Sequence, residues 1–262
     1  MMGKTIFFDI DGTLWDRDRK FPDSTPETIE KLRRNGHRVF ICSGRGRANI
    51  QDPALLQLGF DGIIAACGNH IELDGRVLYE KLLPEPLVRR SMAVLRDNGM
   101  PFILEGPEFY WFDPEDFACD PYVEDLWDQL GPRARHLAED GGGYRVNKFS
   151  ADYSSEQNYN HVKQALQEEL DFIDHGHRVI EFIPKGTSKA TGIAKYLELS
   201  GTDPEDIYAV GDGANDIDMI ACVKHSIAMG SGSETLKASA EYVTTGLWED
   251  GIRHAMEHYG LI

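Results

Sequence analysis

Two short acidic runs carry the residues best suited to chemistry. Asp9-Ile10-Asp11-Gly12-Thr13-Leu14 follows the apolar run Ile6-Phe7-Phe8, and Gly211-Asp212-Gly213-Ala214-Asn215-Asp216 follows Ile207-Tyr208-Ala209-Val210. Carboxylates at the carboxyl ends of buried parallel strands lie where open α/β sheets place their ligands. Because the strand ends at Asp9, Asp11 can turn back over the site, and Gly12 permits the turn. Either run alone has an ordinary structural account, as an Asp-Gly turn closing a strand or as an acidic helix start at the positive end of the dipole. On two strand ends together they gather three or four carboxylates, which repel one another unless a hard divalent cation sits among them. An oxygen-only donor set of that kind suits magnesium.

Two further features suit a phosphate. Ser43-Gly44-Arg45 follows the run Val39 to Cys42, where a hydroxyl and successive backbone amides can hold phosphate oxygens at a loop-to-helix start. Lys189, in Lys185-Gly186-Thr187-Ser188-Lys189, opens a helical pattern. Positive charge in a first helical turn is disfavoured by the dipole, so its presence there points to a use other than helix stability.

The elements that must position these residues can be read from the apolar pattern. Ile6 to Phe8, Val39 to Ile41, Gly62 to Ala66, Ile207 to Val210 and Ser226 to Met229 read as strands buried on both faces of a parallel sheet. Thr25 to Asn35, Lys189 to Leu199 and Asp216 to Cys222 read as the helices between them, which predicts a doubly wound α/β core from residues 1–83 and 185–262. Residues 84–184 read differently, as an inserted α+β unit. Its expected elements are helices Pro86 to Asn98, Tyr122 to Leu130 and Ser155 to Leu170, strands Phe102 to Leu104, Phe109 to Phe112 and Tyr144 to Ser150, and a hairpin Asp171 to Ile183 turning at His175-Gly176-His177. Gly141-Gly142-Gly143 is expected to be a loop inside that unit.

The bulk numbers bound the function. A chain of 262 residues with 41% apolar content can build its core without a disulfide or metal staple. Its 27 basic against 44 acidic side chains give a net charge of −17, which disfavours nucleic acid and anionic membranes as partners. The same charge repels a phosphorylated metabolite, so a phosphate site needs the local cations and amides described above. Cys42, Cys67, Cys119 and Cys222 show no CxxC spacing and suit free thiols in a reducing cytoplasm, and the N-terminus has no room for a signal-peptide apolar segment. No run approaches the roughly 18 apolar residues of a membrane span.

The ordered set DIDGTL at Asp9, SGR at Ser43, a helix-initial Lys189 and GDGAND at Gly211 resembles the haloacid-dehalogenase superfamily of phosphohydrolases across essentially the whole chain. The insertion resembles the cap of the Cof-type subfamily. Cys67-Gly68-Asn69-His70 departs from the Asn-Gly-Ala common in Cof-type relatives, which leaves Asn69 and His70 without an assigned role. The resemblance implies Asp9 as nucleophile, forming an aspartyl-phosphate, and Asp11 as the acid and then the base. It implies a magnesium ion held by Asp9, the Asp11 carbonyl and Asp212, with Asp216 behind them. Ser43, Gly44, Lys189 and Asn215 would grip the phosphoryl oxygens.

The resulting expectation is a phosphatase for a small phosphorylated metabolite such as a sugar, cofactor or nucleotide phosphate. The alternatives are a phosphomannomutase-like sugar phosphomutase and a non-catalytic metabolite-binding protein on the same fold. In the insertion, Arg145, Asn147 and Lys148 could read the leaving group, against a default of a solvated sheet face. His175 and His177 suit a solvated turn better than a metal pair, and Phe109, Trp111 and Phe112 suit a core.

Overall fold

The run Ile6-Phe7-Phe8 is apolar on both faces, and such a strand is stable only inside a sheet covered on both sides. In the computed structural model, which describes residues 3–118, 120–137, 142–176 and 178–262, it forms part of β1 (Thr5–Phe8), buried along its whole length. Then follow α1 (Ser24–Arg34), β2 (Arg38–Cys42), α2 (Pro53–Gln57), β3 (Gly62–Ala65), β4 (His70–Leu73) and β5 (Arg76–Glu80). The chain next builds a second unit from α3 (Glu85–Asp97), β6 (Phe102–Glu105), β7 (Tyr110–Trp111), α4 (Pro121–Leu130), β8 (Ala134–Arg135), β9 (Lys148–Asp152), α5 (Glu156–Leu166), β10 (Leu170–Asp174) and β11 (Val179–Pro184). It returns to the first with α6 (Lys189–Ser200), β12 (Ile207–Gly211), α7 (Ile217–Cys222), β13 (His225–Ala228), α8 (Glu234–Ser239), β14 (Tyr242–Val243) and α9 (Gly251–His258).

The first sheet has the order β14-β13-β12-β1-β2-β3-β4-β5, parallel from β14 to β3 and antiparallel between β3 and β4. Chain order runs outward from β1 through β2 and β3 on one side, and from β12 through β13 and β14 on the other. β1 and β12 therefore flank the switch point, where the carboxyl ends of such strands open a crevice. One face of this sheet packs Phe7, Phe40, Ile64 and Ala209 against Ile193 and Tyr196 of α6 and Met219 and Ile220 of α7. Burying each large apolar side chain contributes about 1.5–3 kcal/mol. α1 places Glu27 in its first turn and Lys31, Arg33 and Arg34 in its last, as the dipole favours. α6 starts where it does because Ser188 and Thr191 form a capping box, which makes Lys189 its first residue, and it stops at Gly201 in the left-handed conformation.

The second sheet, β10-β11-β9-β6-β7-β8, is antiparallel except between β7 and β8. Alternation along the strands sends Phe102, Leu104, Phe149, Ala151, Ile180 and Phe182 to one face, under Val88 and Leu95 of α3 and Val162 and Leu166 of α5. Ile103, Tyr110 and Phe112 join Val123, Leu126 and Leu130 of α4 in a separate cluster. The two compact units are Met1–Gly44, Asp52–Tyr79 and Ser188–Ile262 on one hand, and Arg45–Gln51 and Glu80–Thr187 on the other.

The elements differ from the sequence reading in particular places. Tyr144 to Asn147 is not strand; β9 begins at Lys148, while the Val146 carbonyl accepts from the Leu83 amide. The helix expected to reach Leu170 stops at Leu166, and Leu170 starts β10. Gly141, in the expected glycine loop, lies outside the described residues, as do Cys119 and His177. No helix among the described residues is long and apolar enough to cross a membrane.

Candidate active site

Three neighbouring parallel strands deliver the site. Asp9 follows β1, Ser43 follows β2, and Asp212 follows β12, so all three leave the same edge of the sheet. α6 brings Lys189 into the same place: its Nζ lies 2.5 Å from Asp9 Oδ1 and 2.5 Å from Asp216 Oδ1, and the lysine is buried. The second Asp216 oxygen accepts the backbone amides of Asp212 and Gly213, each at 3.0 Å. Asp216 thus orients both the lysine and the loop that carries Asp212. Gly12 adopts φ +88, and a Cβ there would stand 2.2 Å from Asp212 Oδ2, so the first acidic run can approach the second only with glycine at this position. Ser43 is buried, and the side-chain nitrogen of Asn215 lies 3.8 Å from the point where a Cβ on Gly44 would sit.

Burial pushes the Asp9 carboxyl up to about 8; Lys189 pulls it down, while Asp216 and Asp11 push it up further. Burial, then Asp216, raises Asp212 to about 6. Burial alone would depress Lys189, but Asp216 and Asp9 hold it well above its ordinary value, so the ammonium stays charged. Asp9, Asp212 and Asp216 each offer a carboxylate oxygen, and these atoms lie within 4.8 Å of one another. Three clustered acids with Lys189 between two of them fit a hard divalent cation, which would offset the burial and mutual repulsion that raise Asp9 and Asp212.

The profile of the haloacid dehalogenase-like hydrolases matches residues 6–256. The chain belongs to that family. It is 34% identical to the Bacillus subtilis (strain 168) protein YkrA, over all of both chains. It is 26% identical to the 5-amino-6-(5-phospho-D-ribitylamino)uracil phosphatase YitU of the same organism, over 97% of this chain and 96% of that one. Among solved structures it is similar to the HAD subclass IIB sugar phosphatase BT4131, with a TM-score of 0.84 and 28% identity, covering 99% of this chain and all of that one. The chain is a Cof-type phosphoric monoester hydrolase.

Sequence reasoning missed two residues of this hydrolase's site. Thr13 Oγ1 donates to Asp212 Oδ1 at 3.0 Å, and Trp15 Nε1 donates to Asp11 Oδ1 at 3.0 Å. Thr13 could have been found, since it sits inside the first acidic run; Trp15 gives no signal because it meets Asp11 through a loop return, in which Gly12 donates its amide to the Trp15 carbonyl. Asn69 is buried and donates to the Ala66 carbonyl at 2.8 Å, and His70 pairs with Glu72 at 2.9 Å.

The insertion's residues part company. Arg145 is half exposed and pairs with Glu80. Lys148 is not on a solvated face: it is 1% exposed, 2.6 Å from Glu181 and 3.4 Å from Glu105. Burial would raise Glu181, but Lys148 and then His175 draw it down to about 2, whereas burial wins at Glu105 and raises it. His175 is exposed at the turn between β10 and β11, as expected, and from there reaches Glu181 at 3.4 Å, a contact that raises its pKa. Phe109, Trp111 and Phe112 pack in cores as expected. Lys148→Met is expected to cost about 3–5 kcal/mol by leaving two buried carboxylates together. Arg145→Ala should cost less than about 1 kcal/mol. Urea unfolding of both variants checks this, and equal losses would count against the burial argument.

Proposed function

We propose that this hydrolase cleaves a small sugar or polyol phosphate in two steps on Asp9, with magnesium held by Asp9, Asp212 and the Asp11 carbonyl. The observation that carries the reading is Lys189 Nζ bridging Asp9 and Asp216 at the end of the central strands. In the first step an Asp9 carboxylate oxygen attacks phosphorus, the bond from phosphorus to the ester oxygen breaks, and Asp11 gives its proton to that oxygen. In the second step Asp11 takes a proton from water, whose oxygen attacks the phosphoryl-Asp9, releasing orthophosphate and restoring the carboxylate. Ser43, the amides around Gly44, Asn215 and Lys189 hold the phosphoryl oxygens, where charge stabilisation counts most. When bound, magnesium supplies positive charge against the acidic cluster and the phosphate. Asp216 acts through Lys189 and the Asp212 loop.

The substrate class rests on two similar proteins, one named for a phosphate on a ribityl chain and one for a sugar phosphate. Leaving-group selection is assigned to the inserted unit, with Arg145 as a candidate and Lys148 as an internal support. A panel of phosphorylated metabolites, assayed with and without magnesium for free phosphate, tests the reading. Conversion of a hexose 1-phosphate to an isomer without phosphate release would favour the mutase instead.

The metal assignment has its own test. Asp212 titrates at about 6 in the folded chain against an ordinary 3.8. The folded state therefore binds a proton that the unfolded state has released, and this contribution to stability is lost as pH rises from about 4 to about 6. Magnesium competes with that proton, so the rise in Tm it produces should be larger at about pH 8 than at about pH 5. The rise should shrink in Asp212→Asn. An unchanged magnesium titration in that variant would place the ion elsewhere.

A further inference from the structure

Tyr110, on β7, is a buried polar side chain that the reaction above does not use. Its hydroxyl donates to Glu105 Oε2 at 2.7 Å and accepts the backbone amide of Gly46 at 2.9 Å. Burial, then the Glu105 charge, pushes the phenol well above its ordinary value, so it keeps the proton it offers to Glu105 and leaves a lone pair for Gly46. Glu105 is in turn held by Lys148.

Gly46 lies two residues beyond Gly44, in the stretch Arg45–Gln51 that forms part of the second compact unit. That stretch is fastened along its length. Ala48 packs in one cluster with Tyr110, Phe112, Phe117 and Val123, and the Gln51 side chain donates to the Leu130 carbonyl at 3.4 Å. Gly46 has ordinary extended backbone, φ −61 and ψ 151. A Cβ on it would stand 2.6 Å from the Tyr110 hydroxyl oxygen, so the position needs glycine for space rather than for conformation.

We propose that Tyr110 is a positioning residue for the phosphate-binding turn: by accepting the Gly46 amide it fixes the backbone two residues beyond Ser43-Gly44. This rests on the assignment of Ser43 and Gly44 as phosphate ligands. The chain Lys148, Glu105, Tyr110, Gly46 is a series of buried contacts that ends two residues from that turn. Removing the acceptor leaves a buried amide without a partner and frees the exit of the turn.

Tyr110→Phe keeps the ring and deletes only the hydroxyl. Calorimetry with orthophosphate in the presence of magnesium is the primary measurement, because orthophosphate has no leaving group to recognise. Its Kd and the KM for p-nitrophenyl phosphate are expected to rise about tenfold, or ~1.4 kcal/mol, while kcat falls less than about threefold. A hydroxyl that only stabilises the inserted unit would lower Tm and leave Kd and KM unmoved, and that result overturns the proposal. Glu105→Gln retains an oxygen for Tyr110 and should keep Kd within about threefold of wild type, whereas Glu105→Leu should match the tenfold loss. Should Tyr110→Phe not fold, this pair decides, and equal Kd values in the two overturn the proposal. Wild type and Asp9→Asn are assayed alongside: folded wild type without turnover sinks the hydrolase reading, while normal wild-type turnover with unmoved Kd in Tyr110→Phe sinks the role of Tyr110 alone.

Discussion

Asp9→Asn is expected to fold and to lose turnover by at least about 10³-fold, equivalent to ~4 kcal/mol of barrier. The amide keeps the shape of the side chain and one oxygen, but it is a poor nucleophile, so the phosphoryl-enzyme cannot form. Stability should not collapse, because burial, Asp216 and Asp11 already push the Asp9 carboxyl up to about 8 and a neutral group removes that repulsion. Rapid acid quenching with radiolabelled substrate distinguishes the cases: wild type should trap label on protein, and the variant none. Activity within about tenfold of wild type would rule out attack by Asp9.

Lys189→Met is expected to damage both stability and catalysis. The ammonium is buried with Asp9 and Asp216 at 2.5 Å each, and removing it leaves two buried carboxylates facing one another. Breaking a buried pair in this way costs about 3–5 kcal/mol at neutral pH. Lys189 is the group that draws Asp9 down, so in the variant Asp9 moves further up from about 8. A carboxyl raised above its unfolded value stabilises the fold when protonated and ceases to as pH rises, so the deficit against wild type should narrow at about pH 5 and widen at about pH 8. With Lys189 in the phosphate-holding role proposed above, its loss should lower kcat by about 10²–10³-fold even in folded variant. A stability deficit independent of pH would mean that the lysine is not compensating these acids.

What the sequence made legible was the apolar strand followed at once by an acidic or small residue. That signal is local, and it located Asp9, Ser43 and Asp212 because each is the next residue after a buried strand. Lys189 was legible because it broke a local rule of helix starts, and the broken rule marked the site. Non-local facts were illegible. Lys148 reads as a lysine on a strand, but register sets it opposite Glu105 on β6 and beside the β11 strand that carries Glu181. Nothing in the sequence near Lys148 announces that pairing. Edge elements were missed for a different reason: β4 and β5 are only partly buried, β14 has two residues, and α9 begins at a glycine, so none offers a long apolar run. Tyr144 to Asn147 reads as strand, yet it spends hydrogen bonds on the segment Lys81 to Leu83 before β9 starts.

The central pairing of β1 with β12 joins Thr5 to Ile207. During synthesis at about 5–20 residues per second, β1 waits roughly 10–40 s for its neighbour to emerge. Over that interval Phe7 and Phe8 lack the strand on one side, while every element from α3 to β11 has already been made. The inserted unit can therefore condense first, and once it does the loop that β1 and β12 must close is shortened by the length of that module. The acidic cluster assembles only when Asp212 and Asp216 arrive, so a nascent or truncated chain ending before them carries Asp9 without the acids that complete its cluster.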